Sequence, residues 1–116
     1  MVKLEYSQIV KRKLKNLRND LTQSYGENNS KRIMEKITKK IRQLEMFPQS
    51  GTKISSQYDI ECDYSYIFIE SNYFFYRQKD KDTILILEMF HEKEDFMRKL
   101  FGIVTTSQET LDYWGE

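Results

Sequence analysis

The chain is poor in the residues that usually mark a site. Among 116 residues there are one cysteine, one histidine, one proline and four glycines. The single thiol, Cys62, cannot close an internal disulfide, which fits a reducing compartment. One Cys and one His, His91, are too few for a transition-metal cluster, so no metal or other cofactor is expected. No apolar run approaches the roughly 20 residues that a membrane span needs. The opening "MVKLEYSQIV" lacks the apolar core of a signal peptide. These absences predict a cytoplasmic protein without membrane contact. Internal repeats, linkers and low-complexity segments are also missing.

Aromatic and charged residues are plentiful. Seven Phe, eight Tyr and one Trp accompany 32% charged residues, a composition that folds rather than remaining disordered. The length fits one domain, and a chain of this size buries roughly two-thirds of its unfolded surface. The net charge of +1 conceals two opposed halves. Residues 1–53 carry 13 Lys/Arg against 5 Asp/Glu, or +8; residues 54–116 carry 6 against 13, or −7. A basic half of this kind suits a polyanion or an acidic partner, or forms a solvated helical face.

Periodicity divides the chain. Val2, Leu4 and Tyr6 alternate, predicting a short strand. Ser7 offers an N-cap, and Val10, Leu14, Leu17, Leu21 and Tyr25 form one helical stripe that Gly26 stops. "ENNS" reads as a tight connection. A second helix is expected near Ser30, with Ile33, Ile37, Ile41 and Leu44 buried, ending at "FPQSG". The period then changes. "YIFIE" (66–70), "YFFYRQ" (73–78) and "TILILEMF" (83–90) predict three strands of an antiparallel meander, apolar on both faces. Such a face calls for a covering chain. Phe96, Met97, Leu100 and Phe101 suit one or two helical turns. "TSQE" (106–109) has capping-box spacing, so Leu111 and Trp114 are expected on a short terminal helix. The fold class is therefore α+β: an N-terminal strand and a helical hairpin on a twisted antiparallel sheet.

The second half, "NYFFYRQKDKDTILILEMFHEKEDFMRKLFG", together with "LEMFPQSG", resembles the RelE/ParE family of toxins from type II toxin–antitoxin systems. The resemblance covers about positions 2–103. It implies a toxin domain at 1–103, an extension at 104–116 outside it, and a cognate antitoxin as partner. It also implies one of two activities. RelE-like members cut messenger RNA on the ribosome; ParE-like members poison DNA gyrase. The fold does not choose between them.

Metal-independent RNA cleavage uses the ribose 2′-hydroxyl as nucleophile, with a base, phosphate-binding donors and an acid for the leaving oxygen. If the last hairpin turns at Asp80 and Lys81, Tyr73 faces Glu88, Phe75 faces Ile86 and Arg77 faces Ile84. Tyr73, Arg77, Glu88 and Phe90 then share one surface, with Phe74, Tyr76, Leu85, Leu87 and Met89 on the core side. His91 and Lys93 stand at the strand end. A histidine titrates near neutrality, which suits general acid–base work. The candidate catalytic residues are thus His91, Lys93, Tyr73 and Arg77, with Arg98, Lys36, Lys39 and Lys40 as RNA-binding cations. RelE-like nucleases carry Arg where Tyr73 falls and another basic residue where Lys93 falls. Tyrosine cannot neutralise a phosphate, and lysine lacks the guanidinium fork. Three readings stand beside one another: ribosome-dependent mRNA endoribonuclease, gyrase poison, and non-catalytic antitoxin-binding module. The plainer roles are packing for Tyr73, an ion pair for Arg77 and a solvated turn for His91 and Lys93.

Overall fold

The structure, a computed structural model, describes residues 2–57 and 61–94. Its elements run β1 (Lys3–Tyr6), α1 (Gln8–Tyr25), α2 (Glu27–Arg42), a 3₁₀ turn (Gln43–Glu45), β2 (Thr52–Lys53), α3 (Ile54–Gln57), β3 (Ser65–Ile69), β4 (Asn72–Asp80) and β5 (Thr83–His91). The expected turns near 96–101 and the helix around Leu111 and Trp114 lie outside the described residues.

The caps explain where α1 begins and ends. Ser7 Oγ accepts from the Val10 amide at 3.1 Å and donates to the Leu87 carbonyl at 3.0 Å, so one hydroxyl both starts the helix and seats it on β5. Gly26 alone joins the two helices, with φ of 87°. Glycine adopts this backbone without the Cβ penalty. "ENNS", expected as a connection, is instead the first turn of α2; the reversal needs one permissive residue, and Glu27 suits the positive end of the helix. Ser30, fully buried, donates to the Arg18 carbonyl at 3.1 Å and lies 3.0 Å from the Thr22 hydroxyl, pinning the hairpin shut.

The five strands form one sheet in the order β1-β5-β4-β3-β2. β1 joins β5 in parallel, with Leu4 opposite Ile84 and Tyr6 opposite Ile86. The helices bridge this crossover and cover one face. There Val10, Ile37, Ile41 and Leu44 meet Phe74, Tyr76, Ile84, Ile86 and Met89. The β3–β4 turn is Glu70–Ser71, both at positive φ (49° and 65°), as a two-residue type I′ hairpin requires.

The last hairpin differs from the sequence expectation. It turns at Lys81–Asp82, where the Asp82 amide donates to Asp80 Oδ1 at 2.9 Å. Two irregularities follow, between Gln78 and Asp80 and between Phe75 and Tyr76. Tyr73 therefore faces Phe90, Phe75 faces Glu88 and Arg77 faces Leu85. Leu85 and Leu87, expected on the helix side, give that place to Ile84 and Ile86. The reason is the parallel pairing to β1, which aligns Ile84 and Ile86 with Leu4 and Tyr6 under the helices. At the second irregularity Leu87 is the extra residue between Glu88, opposite Phe75, and Ile86, opposite Tyr76, as in a β-bulge.

The other face is covered from within. Ile54, Phe75 and Phe90 are buried there, with Cys62, Tyr64, Tyr66, Tyr73 and Leu87 packed around them. The segment from β2 to β3 thus supplies much of the cover that the apolar pattern was expected to take from a second chain. Phe68, 49% exposed, stays outside it.

Candidate functional site

β4 alternates, so Tyr73, Phe75 and Arg77 do share the face away from the helices. That face is an aromatic layer rather than an open floor. The Tyr73 ring lies 4.9 Å from Phe68 and 5.3 Å from Tyr66, the latter edge-on at 75°, and 6.3 Å from Phe75. Phe75 in turn stacks edge-on against Phe90 at 5.8 Å. Tyr73 is half-buried, and most of its ring is committed to neighbours. Edge-to-face pairs of this kind contribute about 0.5–1.5 kcal/mol each beyond area burial.

Arg77 stands four residues along β4, roughly 13 Å from Tyr73 at the rise of a strand. It borders a different hollow of about 300 Å³, with Lys53, Cys62, Asp63, Tyr64 and Gln78 among its walls. Tyr76, beside Arg77 but pointing to the helix side, closes the base of this region. Its hydroxyl donates to the Pro48 carbonyl at 3.1 Å and accepts from the Gly51 amide at 3.0 Å. Burial raises the Tyr76 phenol above its usual 10.0, while the Gly51 amide acts in the opposite sense. Of the two described glycines, Gly51 is where close approach decides: an added methyl would strike that hydroxyl and come within 2.8 Å of the Tyr66 carbonyl.

His91 ends β5 opposite buried Asn72, and its side chain is exposed. Its Nδ1 accepts from the Lys93 amide at 3.2 Å, and its own amide donates to Glu94 Oε2 at 2.8 Å. A nitrogen that accepts carries no proton, so this contact places the neutral ring's proton on Nε2. The Glu92 amide donates to the Ser71 carbonyl at 2.9 Å, tying this turn to the β3–β4 turn. Lys93 is exposed beside it. His91, Lys93 and Tyr73 therefore gather at one end of the hairpin, and Arg77 lies toward the other.

Glu88 is already engaged. Lys13 Nζ reaches its Oε1 at 2.7 Å, donates to the Met89 carbonyl at 3.0 Å, and sits 4.4 Å from the centre of the Phe90 ring. The Met89 amide also donates to Glu88 at 3.0 Å. This junction between α1 and β5 was missed by sequence reasoning. Lys13 and Glu88 are 75 residues apart, and no local pattern links them.

Lys36, Lys39 and Lys40 are exposed on α2; Lys39 borders a hollow along the helical hairpin, and Lys40 a separate hollow of about 300 Å³ that Tyr66 and Phe68 also line. Arg98 lies outside the described residues. Among the described residues no group of three or more His, Cys, Asp or Glu side chains could hold a metal, and no helix is long and apolar enough to cross a membrane.

Residues 4–96 match the family model described as the ParE toxin of the type II toxin–antitoxin system parDE. A search of the curated proteins returns no match. Among solved structures, the chain is similar to one titled "Chromosomal ParDE TA system from P. aeruginosa". That match has a TM-score of 0.65 and 15% identity, and covers 78% of this chain and 96% of that one. At this identity the likeness speaks for the fold alone.

Proposed function

This chain belongs to the ParE toxin family of type II toxin–antitoxin systems, and from that premise we propose that it poisons DNA gyrase by binding and does not cut RNA. Membership makes it a toxin whose partner is a cognate antitoxin. The choice of target rests on the site.

One observation carries the reading: the groups a metal-free ribonuclease would need are dispersed. Tyr73 stands in place of the arginine that RelE-like nucleases carry, and its ring is packed among Tyr66, Phe68 and Phe75. Glu88, the carboxylate of β5, is paired with Lys13. Arg77 is a strand's half-length away from His91. Of the α2 lysines, Lys39 borders the helical hairpin and Lys40 a hollow at the β3 edge, so they do not converge on His91. Among the described residues, a phosphodiester seated at His91 and Lys93 would meet one imidazole and one ammonium, and no further unpaired cation stands beside them to hold the charge that develops on the phosphoryl oxygens. Binding to a protein target needs no such convergence.

The test uses the purified chain in two assays. Gyrase supercoiling of relaxed plasmid should be inhibited, and the cognate antitoxin should relieve the inhibition. Primer extension on messenger RNA from cells producing the chain should show no codon-linked ends. Codon-linked cuts with unimpaired supercoiling would reverse the assignment and favour the ribonuclease.

A further inference from the structure

A hollow lies along the helical hairpin, lined by residues of α1 and α2. It has a volume of about 820 Å³. Arg18, Lys31, Lys39 and Arg42 border it, against two carboxylates, Glu27 and Glu35. Arg42 is 3.3 Å from Glu45, but Arg18, Lys31 and Lys39 make no ion pair among the described residues. Half-buried Met34 and buried Ser30 lie between the two helices. The groove is therefore cationic at its edge and carries a thioether within.

The sequence holds a segment of complementary chemistry. Residues 104–116, VTTSQETLDYWGE, carry Glu109, Asp112 and Glu116 and no Lys or Arg, together with Leu111, Tyr113 and the chain's only tryptophan, Trp114. The family match ends at residue 96, so this segment is not part of the matched toxin domain. Reach is sufficient. Lys13 on α1 touches the Met89 carbonyl, and Arg18 is five residues farther along that helix, about 7.5 Å at the helical rise. The ten residues from 95 to 104 span up to about 33–36 Å.

We propose that residues 104–116 dock in cis in the α1–α2 groove, with their carboxylates against Arg18, Lys31 and Lys39 and Trp114 against Met34. Sulfur–aromatic contact and opposite charge act together here, and neither alone is strong. The occupied groove shields Arg18, Lys31 and Lys39, so the segment competes with any acidic ligand of the hairpin.

Trp114 is its own reporter. In the full chain its emission should be blue-shifted and its quenching by acrylamide weak. The double variant Lys31→Glu/Lys39→Glu, at exposed helical positions, should move the emission toward that of free tryptophan. The docked fraction should fall roughly tenfold, because each reversal replaces an attraction with a repulsion of surface-pair size. Unchanged far-ultraviolet circular dichroism would show that the hairpin stays folded. Solvent-like emission in the unaltered chain overturns the proposal. So does buried emission that ignores the charge reversals, or burial that grows with protein concentration, which would mean a second copy's segment fills the groove. None of these readouts involves gyrase, so this proposal and the target assignment fail separately.

Discussion

The Lys13–Glu88 junction should hold α1 to the end of β5, and its strength can be worked from the geometry. The Nζ–Oε1 distance is 2.7 Å, and the side chains are 33% and 16% exposed. That places the pair between an open surface bridge, worth about 0.2–1 kcal/mol, and a buried one, whose rupture costs about 3–5 kcal/mol. Lys13 also donates to the Met89 carbonyl and lies over Phe90, and a half-exposed cation–π contact adds about 0.5–1 kcal/mol. Lys13→Met keeps the stem and removes the ammonium. Glu88 then retains the Met89 amide but loses its counter-charge. We expect a loss of about 2 kcal/mol for Lys13→Met and a pair coupling of about 1–2 kcal/mol in a double-mutant cycle with Glu88→Gln. Urea unfolding reads both, as a midpoint shift of roughly 1–2 M at constant slope. Added salt should reduce the coupling only in part, because the pair is half-shielded. A coupling below about 0.3 kcal/mol would refute the reasoning and make this contact an ordinary surface pair.

Gly51→Ala should destabilise the fold by about 1–3 kcal/mol through overpacking against Tyr76, read by thermal unfolding. Gly26→Ala meets no atom within 4 Å, so its expected loss of about 1–2 kcal/mol comes from left-handed backbone alone; a larger loss at Gly26 than at Gly51 would invert this account. Burial raises the phenols of Tyr6 and Tyr76 above 10.0. The folded chain therefore keeps protons that the unfolded chain sheds. Their contribution is complete below pH 10 and is lost as pH rises through the folded values. Urea midpoints should fall across that range, and less steeply in Tyr76→Phe; a flat profile contradicts the burial argument. Tyr73→Arg restores the cation of RelE-like relatives yet should confer no messenger RNA cleavage, because Glu88 stays paired and Arg77 stays distant. Primer extension showing new cuts would place the missing arginine as the sole obstacle.

Much of the architecture was legible because it is local. Ser7 and Gly26 delimit α1 through cap chemistry that depends on a few neighbouring residues. The α2 stripe Ile33, Ile37 and Ile41 has its period in the sequence itself. The strand runs and their order, and with them the α+β class, could be read in the same way. The family resemblance rested in large part on the β4–β5 hairpin, Asn72 to His91. The β2–α3 segment was not legible, because Thr52 and Lys53 are strand only by pairing with Tyr66 and Ser65.

The sequence by itself determined the two long helices, the three strands of the meander and that one half is basic. Only the tertiary structure decided which pleat meets the helices. That choice belongs to the parallel union of β1 with β5 and to two register irregularities in the final hairpin, which set Ile84 and Ile86 rather than Leu85 and Leu87 across from Gln78 and Tyr76, while the turn at Lys81–Asp82 sets Phe90 across from Tyr73. A shift of one residue reverses every side chain of a strand. Register therefore depends on contacts between residues far apart in the chain, and a short-range pattern does not encode it.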